Sequence, residues 1–249
     1  MCGRFVSSSP PDVLAAYFGV DQVGETLDEA RYNVAPTTEV PVVVERDDHR
    51  RLDTFRWGLV PTWAKDLRIG NKMINARAET LATKNAFRSA FRKRRCIVCA
   101  DGFYEWTRLG DSDTKTPFFI HRADGAPLAF AGLWERWRDP NPTDDPETHR
   151  WIETCTIITG SPNERIAEIH DRMPVMLAPD TWDRWLDPTF HDTDALEALL
   201  VPAPASDLAM YAVSTAVNNV RSKGPGLIEP VELEEFDDSG RAGAEGSGG

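Results

Sequence analysis

Cysteine is scarce in this chain. Four cysteines are spread over 249 residues, at positions 2, 96, 99 and 155, which is no basis for a disulfide framework at this length. Reduced thiols are expected, as in the cytoplasm. Cys96 and Cys99 have the C-x-x-C spacing of a zinc ligand pair, but no second cysteine pair or histidine pair accompanies them. On a strand that odd spacing sends the two side chains to opposite faces, so both are read as core thiols. No metal and no cofactor is expected. Long apolar runs are also missing, as is a basic start followed by an apolar stretch. A membrane span and a targeting segment are therefore not expected, and the location is read as cytoplasmic. Positive charge is in deficit, with 28 Lys and Arg against 40 Asp and Glu and a net charge of -12. That balance excludes a surface that is basic all over. It does not exclude a local basic groove, because the acid is unevenly placed. From Glu229 onward, Glu229, Glu232, Glu234, Glu235, Asp237, Asp238 and Glu245 face Arg241 alone, whereas Arg88, Arg92, Lys93, Arg94 and Arg95 lie together.

Internal repeats and interdomain linkers are absent as well. With 41% hydrophobic content, residues 1–236 are read as one domain with a substantial core. Residues 237–249 end in a Gly-, Ser- and Ala-rich stretch and are expected to be disordered. Pro10 to Gly19 has helical spacing, with Asp12 in the first turn and Gly19 as a stop. Pro41 to Glu45 is a β-branched strand, Asp47-Asp48 a turn, and Leu52 to Trp57 its hairpin partner. Arg56 to Trp63 breaks the alternation with Trp57, Gly58, Pro61 and Trp63, which suits either a rigid aromatic wall or ordinary core packing. A helix through Phe87 and Phe91 ends in Arg92-Lys93-Arg94-Arg95, read as a solvated end suited to cations. Cys96 to Ala100 is a strand. Pro117 to His121 and Leu128 to Trp134 are read as a pair of strands turning near Asp124-Gly125. Asp139 to His149 is a polar loop, Thr154 to Thr159 a strand, and Asn163 to Ile169 a short helix. Strands outnumber helices without βαβ alternation. The fold expected is a single α+β domain with a curved, largely antiparallel, barrel-like sheet and peripheral helices.

The first five residues, Met1-Cys2-Gly3-Arg4-Phe5, hold the least ordinary chemistry. Cys2 follows the initiator Met and is small, so removal of Met1 is expected. A free α-amine and a thiol would then stand on adjacent carbons. Such a 1,2-aminothiol condenses with an aldehyde to an imine, and the thiol closes on the imine carbon as a thiazolidine. A terminal amine is partly neutral near physiological pH and needs little activation. Termini usually fray, but Phe5 and Val6 read as the start of a buried strand that would hold this one down. Glu105 sits among Phe103, Tyr104 and Trp106, as either a hydrogen-bonded structural acid or an acid/base group with a raised pKa. His170, beside Asp171 and Arg172 and ahead of Pro174, reads as part of an exposed polar cluster.

These segments occur in a specific order: Met1-Cys2-Gly3-Arg4-Phe5, Tyr32-Asn33-Val34-Ala35-Pro36, Trp57-Gly58-Leu59-Val60-Pro61, Ile74-Asn75-Ala76-Arg77-Ala78-Glu79, Gly102-Phe103-Tyr104-Glu105-Trp106, Ile169-His170-Asp171-Arg172-Met173-Pro174, and Val213-Ser214 through Pro230. The ordered set resembles the SOS-response-associated peptidase (SRAP) family of abasic-site-shielding proteins, from Met1 to about Val231. The resemblance implies the SRAP fold and, as partner, single-stranded DNA containing abasic sites. It implies that Cys2 captures the open-ring aldehyde as a thiazolidine crosslink. It implies that Asn75 holds the amine and the sugar, that Glu105 is the acid/base and electrostatic partner of the amine, and that His170 protonates the sugar oxygen during ring opening. Arg77 and Arg172 match phosphate contacts, Arg4 lies at the same groove, and Trp63 stands where an aromatic meets the DNA. It also implies a peptidase-type cut, here limited to Met1. A monomer is expected.

Two other classes fit parts of the pattern. An N-terminal-nucleophile amidohydrolase would use Cys2 on a small amide and would show turnover on glutamine or acyl amides. A non-covalent single-strand binding module would rely on the aromatics and arginines alone, and changing Cys2 would leave its DNA behaviour intact.

Overall fold

A computed structural model describes residues 2–24, 29–110, 113–140 and 151–233. In chain order the elements are β1 (Phe5–Ser7), α1 (Pro11–Phe18), β2 (Gln22–Val23), β3 (Arg31–Val34), β4 (Glu39–Arg46), β5 (His49–Trp57), β6 (Asn75–Arg77), α2 (Arg88–Lys93), β7 (Arg95–Ala100), β8 (Gly102–Arg108), β9 (Lys115–Arg122), β10 (Leu128–Arg138), β11 (Trp151–Gly160), α3 (Glu164–Ala167), β12 (Met173–Pro174), α4 (Trp182–Leu186), α5 (Thr193–Glu197) and β13 (Leu208–Ala212).

The expected α+β domain with a barrel-like sheet is what forms. Strands β11, β10, β7, β4 and β5 pair in sequence by antiparallel ladders. The ring closes where β11 returns to β5 in parallel, Thr154 opposite Arg56 and Cys155 opposite Trp57. Closure removes the sheet edges that would otherwise stay unpaired. A second, 5-stranded sheet runs in the order β13-β9-β8-β1-β3. Alternation explains why the ring is buried on both sides. Val40, Val42 and Val44 of β4 join one core cluster and Val43 the other. Cys96 and Cys99 divide in the same way, each at most 1% exposed, so their opposite-face reading holds.

The β4–β5 hairpin pairs as expected, from Arg46 opposite His49 to Glu39 opposite Arg56. Its turn residues Asp47 and Asp48 have φ of 54° and 60°, the left-handed geometry of a tight hairpin that Asp tolerates. The second hairpin expectation is corrected. The strands around Asp124-Gly125 do not pair with each other: β9 lies between β8 and β13, and β10 between β7 and β11. Both edges of each strand are already occupied by those ladders, so the intervening segment crosses between sheets.

The Arg92 to Arg95 run is corrected too. Arg92 and Lys93 are exposed, but Arg95 is 2% exposed. Its guanidinium donates to the carbonyls of Trp185 at 2.6 Å, Phe91 at 2.9 Å, Phe190 at 3.0 Å, and Asp187. Burial pulls it down to about 10. Arg94 pairs with Glu135 at 2.5 Å. Arg95 therefore joins α2, α4 and the segment beyond α4. Arg95→Met keeps the bulk and removes every donor, so each carbonyl left dry costs about 1–3 kcal/mol. A loss of at least about 2 kcal/mol in denaturant unfolding is expected. Part of the Asp139–His149 loop and the tail from residue 237 lie outside the described residues. No helix among the described residues is long and apolar enough to cross a membrane.

Candidate functional site at the N-terminal cysteine

Burial holds the N-terminal strand in place. Cys2, Phe5 and Val6 are each 0% exposed. Strand β1 lies between β3 and β8, with Phe5 opposite both Val34 and Phe103. The Phe5 ring meets Trp57 edge-on at 5.1 Å and Phe130 at 6.3 Å between centroids. The Asp101 carboxylate accepts from the Ser9 amide at 2.8 Å and from the Ser8 hydroxyl at 3.1 Å. These contacts hold the chain in place from Cys2 onward.

Asn75 reaches Cys2 from across the sheet. It begins β6, which lies parallel to β11 with Asn75 opposite Ile157. The indole of Trp57 fixes the approach by donating to the Ile74 carbonyl at 2.8 Å. Asn75 Nδ2 then donates to the Cys2 carbonyl at 2.8 Å. Its Oδ1 is buried and has no hydrogen-bond partner among the described residues, which leaves an acceptor beside the cysteine.

Glu105 comes from the middle of β8, opposite Phe118, and is 3% exposed. Burial raises its pKa, and the nearby His170 and Lys115 oppose the rise. His170 follows α3, whose first turn is capped by Asn163 Oδ1 accepting from the Ile166 amide at 2.9 Å. The His170 Nε2 stands 3.8 Å from Glu105 Oε2. Its Nδ1 is 2.9 Å from the Arg172 amide, which donates to it, and 3.0 Å from Asp171 Oδ1. Nδ1 serves one of these contacts at a time: bare, it accepts from the Arg172 amide, and the proton of the neutral ring is then on Nε2, toward Glu105; protonated, it donates to Asp171. The Cys2 thiol is pushed far above its ordinary pKa, first by burial and then by the Glu105 carboxylate. The resting side chain is therefore a thiol, and it needs a nearby base to react.

The fold thus brings Cys2, Asn75, Glu105 and His170 together from the residues just before β1, from β6, from β8 and from the segment after α3. The predicted DNA contacts divide. Trp63 is 53% exposed in the turn after Pro61. Arg77 is exposed at the end of β6. Arg172 instead forms a two-toothed pair with Glu79 and donates to the Thr159 carbonyl at 2.6 Å. That pairing pulls the Glu79 carboxyl down to about 2. Arg4 donates to Asn33 Oδ1 at 2.7 Å and to the Val217 carbonyl at 2.9 Å. Sequence reasoning missed this clamp and the supporting roles of Trp57 and Asn33, although all three residues lie in the segments that carry the resemblance.

Fold and site together define a mixed β-barrel protein with a buried cysteine, just ahead of its first strand, set against an asparagine, a glutamate and a histidine. Residues 1–220 match the family model described as SOS response associated peptidase (SRAP). The chain is 45% identical over 232 residues to the abasic site processing protein YoqW of Bacillus subtilis, covering 92% of this chain and 99% of that one. It is 36% identical over 236 residues to the abasic site processing protein YedK of Escherichia coli, covering 93% and 100%. Among solved structures, a protein from Bacteroides thetaiotaomicron matches with a TM-score of 0.81 at 26% identity, over 93% of this chain and 100% of that one. The chain belongs to the SRAP family.

Proposed function

We propose that this chain processes abasic sites in single-stranded DNA by forming a covalent thiazolidine between Cys2 and the abasic aldehyde. The observation that carries the reading is the buried Cys2 held by Asn75 at 2.8 Å, with Glu105 close enough to shift its thiol. The names of YoqW and YedK supply the substrate class.

The chemistry divides among the side chains. His170, a quarter exposed, gives its proton to the sugar ring oxygen as the C1–O bond breaks and takes up the proton of the anomeric hydroxyl, so the closed abasic sugar opens to its aldehyde with His170 unchanged. The Cys2 amine, freed by loss of Met1, adds to the aldehyde carbon and gives a carbinolamine. Protonated Glu105 gives its proton to the departing hydroxyl; water leaves and an iminium remains. The Glu105 carboxylate so formed takes the Cys2 thiol proton as sulfur bonds to the iminium carbon. The product is a neutral thiazolidine, Glu105 is protonated again, and one water has been released. A raised carboxyl pKa suits a group that must both give and take a proton. Asn75 Nδ2 holds the Cys2 backbone and Oδ1 accepts from the amine or a sugar hydroxyl. Exposed Trp63 stacks an unpaired base, which favours single strands. Arg77 holds a phosphate, while Arg4 and Arg172, tied to the protein, act mainly as positioning cations at the groove.

Mixing the protein with an abasic single-stranded oligonucleotide and running a denaturing gel tests this directly; a shifted, SDS-resistant band is expected. Intact-mass measurement of the purified protein should find Met1 absent, since a retained Met1 would block the amine. A fully reactive protein that keeps Met1 would contradict the mechanism. Non-covalent binding to intact single strands should weaken with salt. Arg77→Ala should flatten the log-log slope by roughly 0.7, the value of one phosphate contact on a single strand. An unchanged slope would remove Arg77 from the groove.

A further inference from the structure

Asp171 stands beside His170 but has no part in the chemistry above. Its Oδ1 lies 3.0 Å from His170 Nδ1, and Nε2 of the same ring stands 3.8 Å from Glu105 Oε2. Two carboxyl groups therefore flank one imidazole, one at each nitrogen. They differ in setting: the Glu105 side chain is 4% exposed and the Asp171 side chain 88%. The segment that carries Asp171 is held on both sides. Before it, the His170 amide donates to the Ile166 carbonyl at 2.8 Å. After it, Arg172 donates to the Thr159 carbonyl at 2.6 Å and pairs with Glu79. Those bonds turn the neighbouring guanidinium to other partners, so it does not compete for the Asp171 carboxylate.

Opening the abasic sugar asks two opposite things of one imidazole. A proton must reach the ring oxygen, and a proton must leave the anomeric hydroxyl. Both oxygens are bonded to C1, so one nitrogen can serve both, and Nε2 is the nitrogen on the Glu105 side. A neutral ring with its proton on Nε2 cannot do both. Giving that proton leaves an imidazolate, and a protonated Nε2 has no lone pair with which to take another. A ring whose Nδ1 keeps a proton can. It starts as imidazolium, and Nε2–H gives its proton to the ring oxygen, which keeps the electron pair of the broken C1–O bond. Bare Nε2 then takes the hydroxyl proton, and the pair of that O–H bond becomes the second bond of the carbonyl. The imidazolium is restored.

We propose that Asp171 is a positioning residue for this step: its carboxylate holds the proton on His170 Nδ1, so that Nε2 alone gives and takes protons at the sugar. This rests on the ring-opening role given to His170 above. A carboxylate on Nδ1–H fixes an imidazole in the tautomer whose Nε2 is bare. Two things favour Asp171 over the Arg172 amide as the partner of Nδ1. A hydrogen bond to a carboxylate is charge-assisted and about twice as strong as one between neutral groups. Burial also favours a protonated Glu105, and a protonated carboxyl opposite Nε2 suits a bare nitrogen there.

The test has two arms on the full chain. In the first, nitrogen-15 NMR of the histidine side chains tells a protonated ring nitrogen from a bare one. His170→Ala identifies the His170 signals among the five histidines. With the ring neutral, the wild type should carry its proton on Nδ1. Asp171→Asn offers an amide that donates to a bare Nδ1, and Asp171→Ala offers nothing. Both should move the proton to Nε2, while Asp171→Glu should keep it on Nδ1. In the second arm, Asp171→Asn should slow crosslinking to an abasic oligonucleotide by about tenfold, less than loss of the imidazole itself. Asp171→Glu should recover most of that rate. An oligonucleotide carrying an open-chain aldehyde needs no ring opening, so wild type and Asp171→Asn should capture it equally fast. A proton on Nε2 in the wild type, or one that stays on Nδ1 in Asp171→Asn and Asp171→Ala, would overturn the proposal. So would an unchanged abasic rate, or equal slowing on the open-chain aldehyde, which marks a structural effect. Failure of the wild type to crosslink at all, with the tautomers as expected, would sink the crosslinking reading and leave Asp171 as the residue that holds the Nδ1 proton.

Discussion

Cys2→Ala is expected to abolish the heat-stable, SDS-resistant adduct with abasic single-stranded DNA while leaving non-covalent binding within a few-fold of wild type. The substitution removes one atom and its hydrogen from a fully buried position, so the strand anchored by Phe5 and Asp101 should stay in place. Ala, like Cys, is small enough for Met1 removal, and the α-amine is retained. The variant can therefore still condense with the aldehyde, but the imine has no thiol to close on it. Borohydride should trap a labile adduct that heating otherwise releases. Cys2→Ser should behave the same way. An amidohydrolase would lose turnover on small amides instead, and a purely non-covalent binder would show no change.

Glu105→Gln and His170→Ala are each expected to slow crosslinking by about 10²–10⁴-fold, the usual cost of losing one acid/base group, without loss of DNA binding. The two should differ with pH. Burial raises Glu105 above its unfolded value of about 4.3. As proton donor in dehydration it is active below its raised pKa, so the wild-type rate should fall as pH climbs through that value. Glu105→Gln should lose that limb. Stability should follow the same group. A protonated Glu105 suits the folded protein, and its contribution is present at low pH and lost as pH rises through the raised pKa. Glu105→Gln cannot ionise and should gain stability relative to wild type over that interval. A rate limb retained in Glu105→Gln would reassign the proton donor.

Much of the fold was legible because it follows short-range rules. Period-two alternation separates Val42 from Val43 and Cys96 from Cys99, and Asp47-Asp48 marks a tight turn. The closing contact between β5 and β11 left no such trace. Residues about a hundred positions apart pair in parallel there, and nothing local encodes it. Asp124-Gly125 misled for the same reason: a turn signal fixes the bend of the chain, while the ladders available to each flanking strand decide the pairing. The cations were the least legible. Arg92 and Arg95 look alike in sequence, but one is solvated and the other caps four carbonyls. Arg172 was expected at a phosphate and Arg4 at the same groove, and their guanidiniums are held by Asn33, Glu79 and backbone carbonyls. The residues of the candidate site were legible through the ordered segments. What the structure adds is their convergence: Asn75 on the Cys2 carbonyl, and His170 facing Glu105.

The most direct test of the account is mass spectrometry of the adduct after nuclease and protease digestion. The expected species is an N-terminal peptide that begins at Cys2 and carries the abasic sugar with loss of one water. Its thiol should resist alkylation because sulfur is bonded to the former aldehyde carbon. A stable adduct on any other residue, or one in which the Cys2 thiol still alkylates, would contradict the thiazolidine assignment.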